Sequence, residues 1–364
     1  MNTQLKHLLF AAGLACFTLT AQAHQRKPQA KKTAQTVNPL MKPGKLPYNA
    51  PDFSKIKGED YLPAIQAAIV EQRQEIKKIT DNKQKPTFAN TILAYERSGQ
   101  MLNRVTGIFN CVTEADKTPD LEKAEAAVIP MMTNFENEIK FNQKFFQRIK
   151  YVYDHELNQL KGEDKKLLEE VYKSFTHAGA LLPKDKMARM QEINNRLAKL
   201  QQDFGNMLPK AANEATVWVN DVKELSGLSE TDIAQCKKDA EGRGGKAPYC
   251  IVITNTTQQP ILASLENRAL RERVYNASIH RTDGTGTYNA FPIIVEIARL
   301  RAEKAELMGF KDYASYSLEN TMAKNTTNAY AFLRQLIAAY QPKAEAETKA
   351  IEDYARQTEG ADFQ

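Results

Sequence analysis

Along most of this chain apolar residues recur every three or four positions, the spacing that lines one face of an α-helix. From Glu59 to Thr80, Leu62, Ile65, Ile69, Ile76 and Ile79 make such a face opposite Glu, Gln, Arg and Lys. After Lys85-Pro86, Thr87 is placed to cap a second helix with the stripe Phe88, Ile92, Tyr95, Gly99, Leu102, Val105 and Phe109. The short connection predicts that these two helices pack antiparallel. Thr118 and Pro119 supply a cap and a first-turn proline for a helix through Leu121, Val128, Met131, Met132, Phe135 and Ile139, bent at Pro130. Phe145, Phe146, Ile149 and Val152 mark another, and Leu167, Leu168, Val171, Tyr172 and Phe175 the next, closed by Gly179. The longest pattern starts at Lys184 and carries Met187, Met190, Ile193, Leu197, Leu200, Phe204 and Leu208. At ~1.5 Å per residue it predicts a helix of roughly 40 Å.

Near Ala215 the period drops to two. Ala215–Val219 and Tyr249–Thr254 alternate and are rich in β-branched residues, so they predict two short strands paired antiparallel. A capped helix from Glu230 to Ala240 and the Gly242–Gly245 loop lie between them. Helices then resume, with one stripe at Leu262, Leu265, Ala269, Val274 and Ala277 and a second at Ile293, Ile297, Leu300, Lys304 and Leu307, interrupted only by Lys304. Gly309 is placed to end the latter helix, and a last one is expected from Ala329 to Ala355 with Pro342 as its weak point. The predicted fold class is all-α, antiparallel helix packing with one small two-stranded β-ribbon near residues 215–254.

With 364 residues and 42% hydrophobic content the chain can bury a core. Its net charge of +6 is unevenly placed. Seven of the 50 basic residues precede Leu46 and no acid does, so from Leu46 onward 43 basic side chains face 44 acidic ones. That near-neutral body does not support a basic stripe of the kind that binds phosphate backbones, and no nucleic-acid partner is expected. The N-terminal excess fits a secretory signal instead: Lys6 and His7, an apolar run from Leu8 to Leu19, and Ala21-Gln22-Ala23. Residues 1–23 are read as a signal peptide cleaved after Ala23, in preference to a lipoprotein signal through Cys16, because Gly13 stands where a large aliphatic residue is required. Residues 24–46 are read as a basic disordered linker, and the folded part as 47–364. The expected location is exported, in the periplasm, with no membrane partner after cleavage. Cys111, Cys236 and Cys250 remain; the last two either pair as a disulfide or sit as small buried apolar residues.

Candidate chemistry is sparse. Of five histidines, His155, His177 and His280 lie in the folded part. His155-Glu156 opens a zinc-helix pattern, but Gln159 stands where the second histidine belongs. A new site in these three histidines requires them to converge in space. Arg268, Arg271 and Arg273 could grip a peptide carboxylate, or pair with acids on neighbouring helices and brace a helix junction; the second reading is preferred because no catalytic partner is close in sequence. No residue is assigned a catalytic, cofactor-binding or metal-ligating role.

Several ordered motifs together resemble a known family. They are Asn267-Arg268-x-x-Arg271, Tyr275-x-Ala277-x-x-x-Arg281, Ile293-Ile294, Leu300-Arg301-x-Glu303-x-Ala305-x-Leu307-x-Gly309-Phe310-x-x-Tyr313-Ala314 and Thr321-Met322-Ala323. Upstream, Gly179-Ala180-x-Leu182, Phe204-x-Asn206 and Glu224-Leu225-x-Gly227-Leu228 keep the same order. This set resembles the zinc metallopeptidases of the thimet oligopeptidase, oligopeptidase A and peptidyl-dipeptidase type. Pro51-Asp52-Phe53 and Glu59-Asp60-Tyr61-x-Pro63-Ala64 look most like the bacterial peptidyl-dipeptidase branch. The resemblance implies that the complete enzyme hydrolyses short peptides with zinc, and that its His-Glu-x-x-His helix and third glutamate ligand lie beyond the equivalent of Gln364. The chain is thus expected to be the helical wall of a peptide channel, binding no zinc by itself. The alternative expectation is a non-catalytic helical binding or scaffold protein derived from that family.

Overall fold

The structure is a computed structural model that describes residues 38–361. The predicted signal peptide and residues 24–37 of the linker lie outside the described residues. Chain order begins earlier than the linker reading expected: Leu40, in a short turn at Pro39–Met41, is 2% exposed, and its carbonyl accepts from Arg104 Nη2 at 3.2 Å. One large apolar side chain among polar neighbours was enough to anchor the segment.

Helix α1 (Gly58–Asp81) starts where the Asp60 carboxylate accepts the Lys57 N–H at 2.8 Å, and it buries the predicted Ile65, Ile69, Ile76 and Ile79. Thr87 caps the next segment as predicted, accepting from Asn90 N at 3.2 Å. The single helix expected from Phe88 to Phe109 is instead two pieces. A wide helical turn, Phe88–Leu93, runs into α2 (Ala94–Glu96), and α3 (Gln100–Ala115) begins afresh after Gly99. Gly99 has φ +71, and a Cβ there would lie 2.5 Å from Gln72 Nε2. The stripe survives the break because Ile92, Leu102, Val105 and Phe109 still reach the core.

Helices α4 (Pro119–Lys140), α5 (Gln143–Glu156) and α6 (Gly162–Ala178) complete this first core, with α1 packed against α3, α4 and α5. Thr118 caps α4 at Leu121 N, and the helix runs through Pro130. Tyr95, Phe145 and Phe175 meet edge to face with ring centroids 5.1 to 5.8 Å apart. Helix α7 (Lys184–Glu214) extends a turn and a half past Leu208, across Pro209, and packs against α4.

Strands β1 (Val217–Val219) and β2 (Tyr249–Ile251) pair antiparallel with Val217 opposite Ile251, as the alternation predicted. Helix α8 (Glu230–Gly242), capped by Ser229, covers β2. A second core forms here from Val217, Val219, Leu225, Cys236, Ile251, Ile253, Leu265, Leu270 and Val274. Cys236 and Cys250 are buried thiols; burial pushes the Cys236 thiol up to about 11. Two short helices replace the single stripe expected from Leu262 to Ala277: α9 (Gln258–Ser264) and α10 (Arg268–Ile279). The break falls at Asn267, whose Oδ1 accepts Leu270 N at 3.0 Å. That restart shifts the phase, so Leu270 is buried and Ala269 exposed.

Helix α11 (Phe291–Leu307) packs on α7 and ends at Gly309, whose φ of +80 lets Phe310 N reach Ala305 O at 2.9 Å. After α12 (Tyr313–Leu318), the 34-residue α13 (Thr326–Glu359) is longer than predicted at both ends and continuous through Pro342. None of its residues is buried. The fold is mainly helical with one two-stranded ribbon among the described residues.

Candidate functional site

The three arginines of the 268–273 cluster point to three different tasks. Arg271 Nη1 donates to the carbonyls of Leu265 at 2.6 Å and Glu266 at 2.9 Å, closing the end of α9 against the start of α10. Arg273 reaches Trp218 O at 2.6 Å and Glu224 Oε2 at 3.1 Å, tying α10 to the ribbon. Arg268 pairs with Glu359 at the far end of α13. Short-range carbonyls and acids on neighbouring elements thus occupy the cluster.

The histidines are also dispersed among separate partners. His155 Nδ1 lies 2.8 Å from Tyr151 O, with its ring stacked on Tyr151. His177 stacks on Tyr316 at 4.2 Å and places Nε2 3.1 Å from Tyr316 O. Tyr316 OH in turn donates to His177 O at 3.1 Å, and burial pushes its phenol up to about 12. His280 Nδ1 lies 2.5 Å from Asp283, whose carboxyl that contact holds down to about 2. Among the described residues, no group of three or more His, Cys, Asp and Glu is placed to hold a metal ion.

The seam between α7 and α11 carries two matched two-point ion pairs. Arg189 makes a two-point contact with Glu303 at 2.6 and 2.9 Å, and Arg196 another with Glu296 at 2.6 and 2.7 Å. Both arginines and both glutamates are seven residues apart, so two helical turns on each strand of the seam match in antiparallel register. Between them Lys304 donates to Asn194 Oδ1 at 2.8 Å, and Asn194 Nδ2 donates to Asn137 Oδ1 on α4 at 2.9 Å. Burial pulls the Lys304 ammonium below its usual range, which explains why a lysine interrupts the α11 stripe: its stem packs and its tip finds an amide. Sequence reading missed this seam. The repeated seven-residue spacing of opposite charges was the available signal.

Two further surfaces could receive a ligand. A cleft of ≈ 720 Å³ opens between the end of α7, the loop after β2 and the end of α10, with Leu208, Ile253, Ile279, Thr254, Asn255 and Arg281 among its lining. On α13, Tyr330, Leu333, Ile337 and Tyr340 follow a helical spacing of three, four and three and remain 48 to 69% exposed. Phe291, Ile294 and Val295 on α11 are also exposed. Among the described residues these apolar side chains are left without a covering element. Among the described residues no helix is long and apolar enough to cross a membrane.

Residues 261–364, from α9 to the end of α13 and beyond, match the sequence description of peptidase family M3. The chain is similar to the dipeptidyl carboxypeptidase of Escherichia coli strain K12, with 33% identity over 318 residues, which is 87% of this chain and 47% of that protein. It is similar to oligopeptidase A of the same strain, at 27% identity over 330 residues, covering 89% of this chain and 48% of the relative. A thimet-like oligopeptidase of Dictyostelium discoideum matches 73% of the chain at 23% identity and 38% of its own length. The chain spans about half the length of the curated bacterial relatives it matches. A family match over the α9–α13 region, joined to relatives aligned along nearly the whole helical body, leads to one conclusion: the chain belongs to peptidase family M3, with the thimet oligopeptidases and peptidyl-dipeptidases.

Proposed function

We propose that this chain is the N-terminal, peptide-channel portion of an exported zinc peptidase of the dipeptidyl carboxypeptidase type, and that peptide-bond hydrolysis needs residues it does not supply. The observation that carries this reading is the 33% identity to a dipeptidyl carboxypeptidase over 318 residues that make up only 47% of that relative. The exposed apolar faces of α11 and α13 support it, since they are the surfaces a remaining half would cover. Export is supported by the basic, apolar and small-residue order of the first 23 residues.

Zinc does not fit the described residues: His155, His177 and His280 are each engaged elsewhere, and no three donors converge. No catalytic step is therefore assigned to this chain. Its part is to bind and align short peptides along helical walls held in register by the α7–α11 seam. The test is incubation of the purified chain and zinc with a set of short peptides, followed by mass spectrometry. Peptides should be retained intact. Release of C-terminal dipeptides by the chain alone would refute the division of labour proposed.

A further inference from the structure

The cleft at the end of α10 is lined by a cation whose donors are mostly unspent. Arg281 donates Nε to Ser278 O at 3.0 Å, which fixes the guanidinium to the last turn of α10. Among the described residues its Nη1 and Nη2 find neither a hydrogen-bond acceptor nor a carboxylate. Capping α10 thus accounts for one of the five N–H groups of a guanidinium and leaves its fork open.

Elsewhere in the molecule the same fork is used in full. Arg73, Arg189 and Arg196 each hold a carboxylate at two points, and Arg271 holds two carbonyls. Arg281 is only partly exposed, and no Asp or Glu is among the residues that line its cleft. The two helical walls are apolar where the guanidinium is not: Leu208 on α7 is 43% exposed and Ile279 on α10 is 51% exposed, with Pro209 and Ala212 continuing the α7 wall. The volume of ≈ 720 Å³ lies within the range of about 300 to 1,000 Å³ typical of small-ligand sites. One accessible positive charge beside water-facing apolar walls suits a ligand with one negative charge and an apolar body.

We propose that this cleft binds an amphiphilic monocarboxylate, an alkyl chain of medium length ending in a carboxylate. The carboxylate accepts N–H groups from the Arg281 fork, and the chain lies over Leu208, Pro209, Ala212 and Ile279. An ammonium group would find no acid in the lining, so a zwitterion gains nothing over a plain carboxylate. A phosphate dianion would meet a single cation and leave the apolar walls wet. The proposal goes beyond the peptidase reading and does not rest on it: the ligand is not a peptide and its binding is measured without hydrolysis, so failure here leaves that reading where it stands.

The probe is sodium octanoate, titrated into the purified chain by calorimetry, with octanamide as its uncharged counterpart and butyrate as its short one. One saturable site is expected for octanoate with a Kd of roughly 0.1 to 1 mM. Octanamide should bind about tenfold more weakly, the loss expected for a charge-assisted contact. Butyrate should also bind at least about tenfold more weakly, since four methylenes leave the walls. Arg281→Gln should weaken octanoate about tenfold and leave octanamide unchanged. Ile279→Ser, a change at an exposed position that keeps the fold intact, should weaken octanoate and octanamide alike by a few fold. Absence of a saturable octanoate site, equal binding of octanoate and octanamide, or octanoate affinity unchanged in both variants would each overturn the proposal.

Discussion

Arg148 offers the sharpest test of how the first core is held. It sits on α5 at 8% exposure and, among the described residues, faces no carboxylate. Instead Nη1 donates to Asn82 O at 2.9 Å and Gln84 O at 3.3 Å, while Nη2 donates to Asn90 Oδ1 at 3.0 Å and Thr91 Oγ1 at 3.3 Å. One guanidinium thus closes the end of α1, orders the 82–87 loop and fixes the wide turn that follows. Burial without a counter-charge holds its pKa below the usual arginine range, so the hydrogen bonds must offset a desolvation cost. Arg148→Met keeps the stem and removes every donor. Only the two bonds near 3 Å are strong; at ~1.5 kcal/mol each for a charged donor, their loss costs about 3 kcal/mol, less whatever relief the desolvated charge gives. With an unfolding entropy of ~2.1 cal/mol/K per residue, roughly 320 residues give about 0.7 kcal/mol/K, so the melting temperature should fall by about 3 to 5 °C. Circular dichroism melts at neutral pH read this directly. Arg148→Lys, which can satisfy one carbonyl, should fall between. A methionine variant melting within about 1 °C of the unmodified chain would refute the assignment of Arg148 as the brace.

Gly227 has φ +92, and a Cβ there would lie 2.1 Å from Ser264 O, so Gly227→Ala should cost at least about 2 kcal/mol and open the α9–α10 junction to proteolysis; wild-type protease resistance would contradict this. Asn267→Ala removes the cap of α10 and should cost about 1 kcal/mol, measured by urea unfolding, while Asn267→Asp should keep most of it. The Glu296 and Glu303 carboxyls are held below 4.5 by hydrogen bonds from Arg196 and Arg189. Their folded pKa values are depressed, so the seam's contribution is present above pH 4.5 and lost as pH falls through the folded values. The double variant Glu296→Gln, Glu303→Gln should therefore melt below the unmodified chain at pH 7 and converge with it in acid; a constant gap across that range would argue against the linkage.

Most helices were legible because their stripes are long and their caps are local: Thr87, Thr118, Ser229 and Gly309 each act where the sequence placed them. The breaks were not. Gly99 and Asn267 interrupt stripes whose period looks continuous, because an apolar face can resume after a turn without any loss of burial. Leu40 was lost among lysines and prolines for a related reason, since composition averages out a single anchoring side chain. The polar seam depends on which helices meet, information that lies in contacts 100 or more residues apart and not in any local window. The motifs from Asn267 to Ala323 identified the family well, yet the same residues are spent on caps, braces and helix ends.

The division between a peptide-holding wall and chemistry supplied elsewhere is tested most directly by metal stoichiometry. The purified chain, loaded with excess zinc and dialysed, should retain far less than one zinc per chain by plasma mass spectrometry. One zinc per chain, removable by chelator and accompanied by peptide hydrolysis, would contradict it.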